Sequence, residues 1–273
     1  MVREHRLSVA RACRAAKLSR AAYYRQGVNW AERDAPVMEA LNAVVSKRTR
    51  WGFWRCFDRL SNQGCGWNHK RVYRVYCGMR LSLPRRTKKR LPLRIRQPLT
   101  VPAAVNAVCS VDFMSDCLYD GRRFRTLNVI DEGVREALAI EIDTNLPAKR
   151  VVRVLERLVE LRGTPRAIRM DNGPELMAEE FVAWCERYGV EPRYIQPGKP
   201  DQNAYIERFN RTYREEVLNA HIFSDLEQVR EISAEWIKIY NEERPHEALG
   251  RQPPAVFRAK IESMKISTSD LST

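Results

Sequence analysis

Asp112, Asp171 and Glu207 are the residues of this chain whose types and spacing could do chemistry together. They lie in the settings SVDFM, RMDNGPE and DQNAYIERFN, with 58 residues between the first two and 35 between the second pair. Three carboxylates brought together can hold two divalent cations, and two such ions a few ångströms apart promote displacement at a phosphodiester. Each also has a plainer reading. An Asp before Asn-Gly is an ordinary turn residue, and Glu207 beside Arg208 and Arg211 could be a surface charge pattern. Asp112 is the hardest to dismiss, because a charge on a mostly apolar strand is costly unless something satisfies it.

The surrounding patterns say which elements would carry them. Residues 107–114, 123–130 and 135–143 are β-rich runs joined by turn signals at Asp120–Gly121 and Asp131–Glu132–Gly133, so they predict an antiparallel meander. Alternation puts Val108, Ser110, Asp112 and Met114 on one face of the first strand. Pro147 opens an apolar helix that Gly163 can end, and a short strand over 166–170 runs directly into Asp171 and the Asn-Gly turn. A helix over 176–187, a strand over 192–196 and a long helix over 201–219 follow. On that last helix Asn203, Glu207, Arg211 and Arg214 make a polar stripe beside an apolar stripe of Ile206, Phe209, Tyr213 and Val217. The order βββ-α-β-α-β-α describes an α/β fold, a mixed sheet with helices packed on it.

Upstream the character changes. Residues 1–100 hold 24 Lys and Arg against 5 Asp and Glu, whereas the remaining 173 hold 24 against 29, so the net charge of +14 belongs to the N-terminal third. Such asymmetry suggests that this part meets a polyanion. Residues 7–25 read as two short helices broken near Ala16–Ser19, with Ser19 as the second N-cap, compatible with a helix-turn-helix. Helices over 36–48 and 51–62 follow, then one capped by Asn68 that carries Lys70, Arg71 and Arg74 on one side. From Pro84 to Pro102, four prolines interrupt a run that includes Arg85, Arg86, Lys88 and Lys89, which predicts an extended basic linker able to lie along a DNA backbone. Seven cysteines without a C-x-x-C pair indicate neither a disulfide framework nor a zinc site. No apolar run approaches the roughly 20 residues that span a bilayer, and a cytoplasmic home is expected.

Taken together, SVDFMSDCLYDGRRFRTLNVIDEGVREALAIEIDTNLPAKRVV, RMDNGPE, YIQPGKPDQNAYIERFNRTYREEVLN and YNEERPHEALGRQPPAVF resemble the second-reading-frame transposases of bacterial insertion sequences, whose core is similar to retroviral integrase and ribonuclease H. The helical region WGFWRCFDRLSNQGCGWNHKRVYRVYCGMRLSLPRR resembles the segment preceding the core in the same proteins. The D-D-35-E spacing of that group is met, as is its basic residue seven positions after the glutamate, Arg214. One departure is Cys109, where the group often has Trp.

The resemblance implies a ribonuclease-H-like mixed five-stranded sheet with flanking helices, preceded by a small all-α helix-turn-helix-like domain. The expected boundaries are a basic helical DNA-binding region over 1–83, the linker over 84–102, the catalytic core over 103–222, a helical extension over 223–259 and a disordered tail over 260–273. Asp112, Asp171 and Glu207 would be both catalytic residues and ligands of two Mg²⁺ ions, with Mn²⁺ as a substitute. Cleavage at an element's end would be followed by attack of the freed 3′-hydroxyl on another phosphodiester. Lys199, Arg208, Arg211 and Arg214 would position phosphates, which fixes register without reading sequence. Asn172 and Asn203 would support the carboxylates, and His246 would pack rather than catalyse. The implied partners are element ends and target DNA, the first-frame product or its frameshift fusion, and further copies of the chain on DNA near the nucleoid. The rival readings are a DNA-binding regulator or decayed copy without catalysis, and a hydrolase that cuts without joining.

Overall fold

The computed structural model describes residues 7–25, 29–84, 104–196 and 200–270. The linker expected over 84–102 therefore lies, beyond its first residue, outside the described residues, and so does Lys199.

Five helices come first: α1 (Val9–Ala15), α2 (Arg20–Tyr24), α3 (Trp30–Lys47), α4 (Phe53–Asn62) and α5 (His69–Gly78). Four of the starts follow from side-chain caps: Ser8, Ser19, Asn29 and Asn68 each accept a hydrogen bond from a backbone N–H of the first turn, whereas α4 starts after Gly52 without one. The cap on Asn29 sets α3 going six residues before the 36 at which Pro36 suggests a start, and the proline is carried inside the helix. Val37, Leu41, Trp51, Cys56, Leu60, Val72 and Tyr76 form the buried core of α3, α4 and α5. Arg71 and Arg74 both reach Asp34, at 3.0 and 2.7 Å, and so tie α5 to α3.

The second part is a five-stranded sheet of β1 (Val108–Cys117), β2 (Arg123–Asp131), β3 (Ala137–Asp143), β4 (Ala167–Met170) and β5 (Glu191–Tyr194) in the order β3-β2-β1-β4-β5. The meander β1-β2-β3 is antiparallel, and β4 and β5 continue the sheet in parallel. Alternation along β1 and β2 sends Cys109, Val111, Leu127 and Val129 to one face. There they meet α6 (Ala148–Arg162) and α8 (Glu179–Tyr188) through Val151, Val154, Leu155, Phe181 and Trp184. Met114, Phe124 and Ile130 face the other way, against α9 (Ala204–Tyr213) and α10 (Leu226–Glu242). The sheet is thus covered on both sides, and β1 lies at its centre.

Three further expectations change. The helix expected over 176–187 is two pieces, α7 (Pro174–Met177) and α8, parted by an extended Ala178; the Leu176 carbonyl is taken by the Tyr194 hydroxyl at 3.0 Å. The long helix over 201–219 is a 3₁₀ turn (Pro200–Asn203), then α9, then a π-helical turn (Arg214–Leu218). Glu216 on that turn is gripped by Trp236 Nε1 and Arg244, which favours the widened geometry. Finally, the tail expected to be disordered from 260 continues α11 (Pro254–Asp270): Pro254 opens it at a position that needs no N–H, and no glycine or second proline interrupts it.

Arg48 and Arg59 pair with Glu243, Arg251 pairs with Asp58, and Asn62 donates to the Arg251 carbonyl, so the helical region and the end of α10 make direct contact. Among the described residues no helix is long and apolar enough to cross a membrane.

Leu127 is fully buried at the sheet centre. Leu127→Ala is expected to lower unfolding stability by about 2–5 kcal/mol in chemical denaturation.

Candidate active site

Asp112 sits midway along β1, half-buried, on the face that looks toward α9. Its carboxylate is held from two sides: Oδ1 accepts from the Phe113 N–H at 2.9 Å, and Oδ2 accepts from Asn210 Nδ2 at 2.7 Å. Asn210 in turn accepts from Asn128 Nδ2 at 2.7 Å, and Asn128 is the cross-strand partner of Asp112 on β2. A buried amide relay therefore links β2, α9 and β1. Asn128 and Asn210 are not among the residues expected at the site; their signal in the sequence is an Asn on the apolar side of α9, between Phe209 and Tyr213, where an amide needs a polar partner.

Asp171 follows β4, the strand that pairs with β1 on its other side. Its Oδ1 accepts from the Gly173 N–H at 3.2 Å, and a Cβ on Gly173 would stand 3.2 Å from the same oxygen. Glycine there lets the carboxylate fold over its own turn. Asn172 points away and donates to the Ile195 carbonyl at 3.3 Å, joining the loops that follow β4 and β5. Glu207 is exposed on the first turn of α9. Ile206, Phe209, Tyr213 and Val217 are buried as the stripe requires, and this sets the rotation of the helix.

The three carboxylates share one electrostatic neighbourhood. Burial first, and with it the negative charges of Asp171 and Glu207, push the Asp112 carboxyl up to about 6 against the lowering effect of its hydrogen bonds. Among the described residues, no three His, Cys, Asp or Glu side chains are close enough to hold an ion between them.

The basic candidates separate into groups. Arg211 is exposed near Glu207, and Arg208 faces a neighbouring cavity. Arg214 is engaged by β1, pairing with Asp116 at 3.1 Å and donating to the Ser115 carbonyl at 2.9 Å. Lys70 is exposed on α5, whereas Arg71 and Arg74 are held on Asp34. Arg85, Arg86, Lys88, Lys89 and Lys199 lie outside the described residues. Asn203 is buried, with its Oδ1 lacking a partner among the described residues. Cys109 packs in the core with Trp184, its thiol pushed up by burial, so the position serves packing.

The fold is a mixed five-stranded sheet, with Asp112 on its central strand, Asp171 after the neighbouring strand and Glu207 on a covering helix. Two models described as the integrase core domain match residues 102–200 and 188–254. Proteins of 39.2 and 31.7 kDa from insertion elements IS476 of Xanthomonas euvesicatoria and IS407 of Burkholderia multivorans are each 39% identical, over 96% and 93% of this chain and 76% and 91% of their own lengths. The transposase InsD of an Escherichia coli IS2 element is 25% identical over 82% of this chain and 78% of its own. Among solved structures, the simian T-cell lymphotropic virus intasome in complex with a PP2A regulatory subunit aligns with 80% of this chain and 74% of that one, at 13% identity and a TM-score of 0.50. The chain belongs to the insertion-element transposases with an integrase core, a family of metal-dependent DNA polynucleotidyl transferases with the ribonuclease-H-like fold.

Carboxyl ¹³C titration of the metal-free protein should place Asp112 near 6, and Asn210→Ala, which removes a donor to the charged form, should move the midpoint higher. A midpoint in the ordinary aspartate range would contradict the arrangement. The raised carboxyl binds its proton more tightly in the folded chain than in the unfolded one. Its contribution to stability is therefore fully present below about 3.8 and is lost as pH rises through about 6.

Proposed function

We propose that Asp112, Asp171 and Glu207 are the catalytic carboxylates of DNA cleavage and strand transfer at insertion-sequence ends. The observation that carries this is Asp112 itself: a half-buried carboxylate on the central strand, with a raised proton affinity and two further carboxylate charges acting on it. Such a site has excess negative charge and offers only hard oxygen donors, which suits Mg²⁺ or Mn²⁺. Asp112 and Asp171 would hold one ion and Asp112 and Glu207 a second, and when bound the pair would activate the attacking hydroxyl and stabilise the leaving oxygen.

The chain's own residues supply position. Asn210 and the Phe113 N–H orient Asp112, the Gly173 N–H orients Asp171, and the buried stripe of α9 turns Glu207 outward beside Arg211. Arg211, with Lys199 and Arg208, positions phosphates. Arg214, anchored to Asp116 and Ser115, holds α9 against the end of β1 and borders the phosphate path. Water attacks first, then the freed 3′-hydroxyl, with no covalent enzyme intermediate. Asn172 and Asn203 brace the loops around Asp171 and Glu207. Lys70, with the linker residues Arg85, Arg86, Lys88 and Lys89, contacts the DNA backbone outside the core. The working form is a multimer on two DNA ends in the bacterial nucleoid, completed by the first-frame product or its frameshift fusion.

With labelled element ends, Mg²⁺ and the fusion protein, Asp171→Asn should abolish both nicked and joined products while leaving the melting temperature within a few degrees of wild type. Equal activity of the two proteins would overturn the catalytic reading. Nicks without joined strands in the wild type would instead support a hydrolase. Because the ions compete with the proton on Asp112, the Mg²⁺ concentration giving half-maximal cleavage should rise as pH falls below about 6.

A further inference from the structure

α9 has a second face. Tyr205, Arg208, Phe209 and Thr212 line a cavity of about 720 Å³ that α4 and the turn from Arg244 to Arg251 close from the other side. That volume lies within the roughly 300–1,000 Å³ of small-molecule sites and far exceeds the needs of a simple anion.

The walls are rich in arginine: Arg55, Arg135, Arg208, Arg244 and Arg251 stand against Asp58 and Glu247. Arg251 is matched by Asp58 at 3.3 Å and Arg244 by Glu216 at 2.5 Å. Arg55 and Arg208 have no carboxylate within ion-pair distance among the described residues. Burial, and next the charge of Arg244, push the Arg55 guanidinium down to about 10, the behaviour of a cation short of a counter-charge. Among these arginines lies His246, whose Nε2 is buried without a hydrogen-bond partner among the described residues. Burial and then Arg244, Arg55, Arg208 and Arg135 hold this imidazole down to about 3, so it is neutral. Trp54 and Tyr205 supply flat walls, each already faced by a guanidinium, from Arg251 at 5.2 Å and Arg135 at 3.5 Å.

Uncompensated cations call for an anion, an unpartnered ring nitrogen calls for a polar edge, and stacked guanidinium and aromatic planes suit a flat heterocycle. We propose that this cavity binds a nucleoside phosphate, its phosphate between Arg55 and Arg208 and its base edge at His246 Nε2. That the nucleotide is an unpaired unit of the DNA substrate rests on the transposase reading above. Arg208 adjoins Glu207, which sets the cavity one residue along α9 from the acidic face.

The test is fluorescence anisotropy of the full chain in EDTA, where no cleavage occurs and the carboxylates are not needed. The probes are a labelled duplex with one extrahelical nucleotide, the same duplex fully paired, and dAMP as competitor. The wild type should prefer the extrahelical probe by about tenfold, the size expected for one stacked base. Arg55→Gln should erase the preference with the melting temperature unchanged or raised, because a half-buried, poorly compensated charge is removed. Arg187→Gln, which removes an exposed charge on α8, should keep it. His246→Phe, which preserves a ring but not its nitrogen, should also lose the preference and serves if Arg55→Gln fails to fold. Competition by dAMP would show that the isolated nucleotide suffices; competition only by unlabelled extrahelical duplex would assign the ligand to the DNA strand. No preference in the wild type, or equal losses for Arg55→Gln and Arg187→Gln, would overturn the proposal. Neither result bears on strand transfer by Asp171→Asn, so failure of this site and failure of the catalytic reading remain distinguishable.

Discussion

A carboxylate midway along a central strand, with a second sheet residue behind it and a helix above, has to be satisfied by the elements around it. In this chain the task falls to the hydrogen bond from Asn210 to Asp112, itself backed by Asn128. One relay thus connects β2, β1 and α9 at the point where the sheet is covered. A hydrogen bond to a charged group contributes about 1.5–3 kcal/mol, and an unpaired carboxylate at this depth would cost more than that. The position of Glu207 follows, since it lies one helical turn before Asn210 on the same helix.

The rotation and tilt of α9 are set from its other side. Tyr213 bonds to Ser233 of α10 at 2.6 Å, and the π-helical turn is pinned where Glu216 meets Trp236 and Arg244. Asn241 clasps both the N–H and the carbonyl of Ala137 on β3 at 2.9 Å. The segment after residue 222, marked out in the sequence as an extension, thus packs on the sheet and braces the helix that carries the third carboxylate. Charge is organised in the same spirit. Several arginines that look available in the sequence are engaged within the protein, Arg71 and Arg74 by Asp34 and Arg214 by Asp116, whereas Arg55 and Arg208 lack a carboxylate partner among the described residues.

Much of this was legible beforehand because it rests on local periodicity. The five strands, the stripe of Ile206, Phe209, Tyr213 and Val217, and the caps on Ser19 and Asn68 depend on neighbours in sequence, and the structure places them within a few residues of expectation. What was missed depends on distant partners. The break at Ala178 accompanies a Tyr194 hydroxyl on another strand, and the π-helical turn accompanies contacts from α10. The role of Asn210 depends on Asp112, which lies opposite it but 98 residues away in the chain. The cavity beside α9 draws its arginines from α4, the β2–β3 turn, α9 and the loop after α10, a combination no window of sequence contains.

The central claim is that Asp112, Asp171 and Glu207 together form one metal-binding site, with Asp112 shared between the ions, and cleavage of the protein backbone by Fe²⁺, ascorbate and peroxide tests it without reference to DNA chemistry. Iron held at a Mg²⁺ site releases hydroxyl radicals that cut the nearest backbone. Cuts grouped near residues 112, 171 and 207, suppressed together by excess Mg²⁺ and lost together in Asp112→Asn, are the expected result. Cuts confined to one of the three positions, or a pattern unchanged by Asp112→Asn, would contradict it.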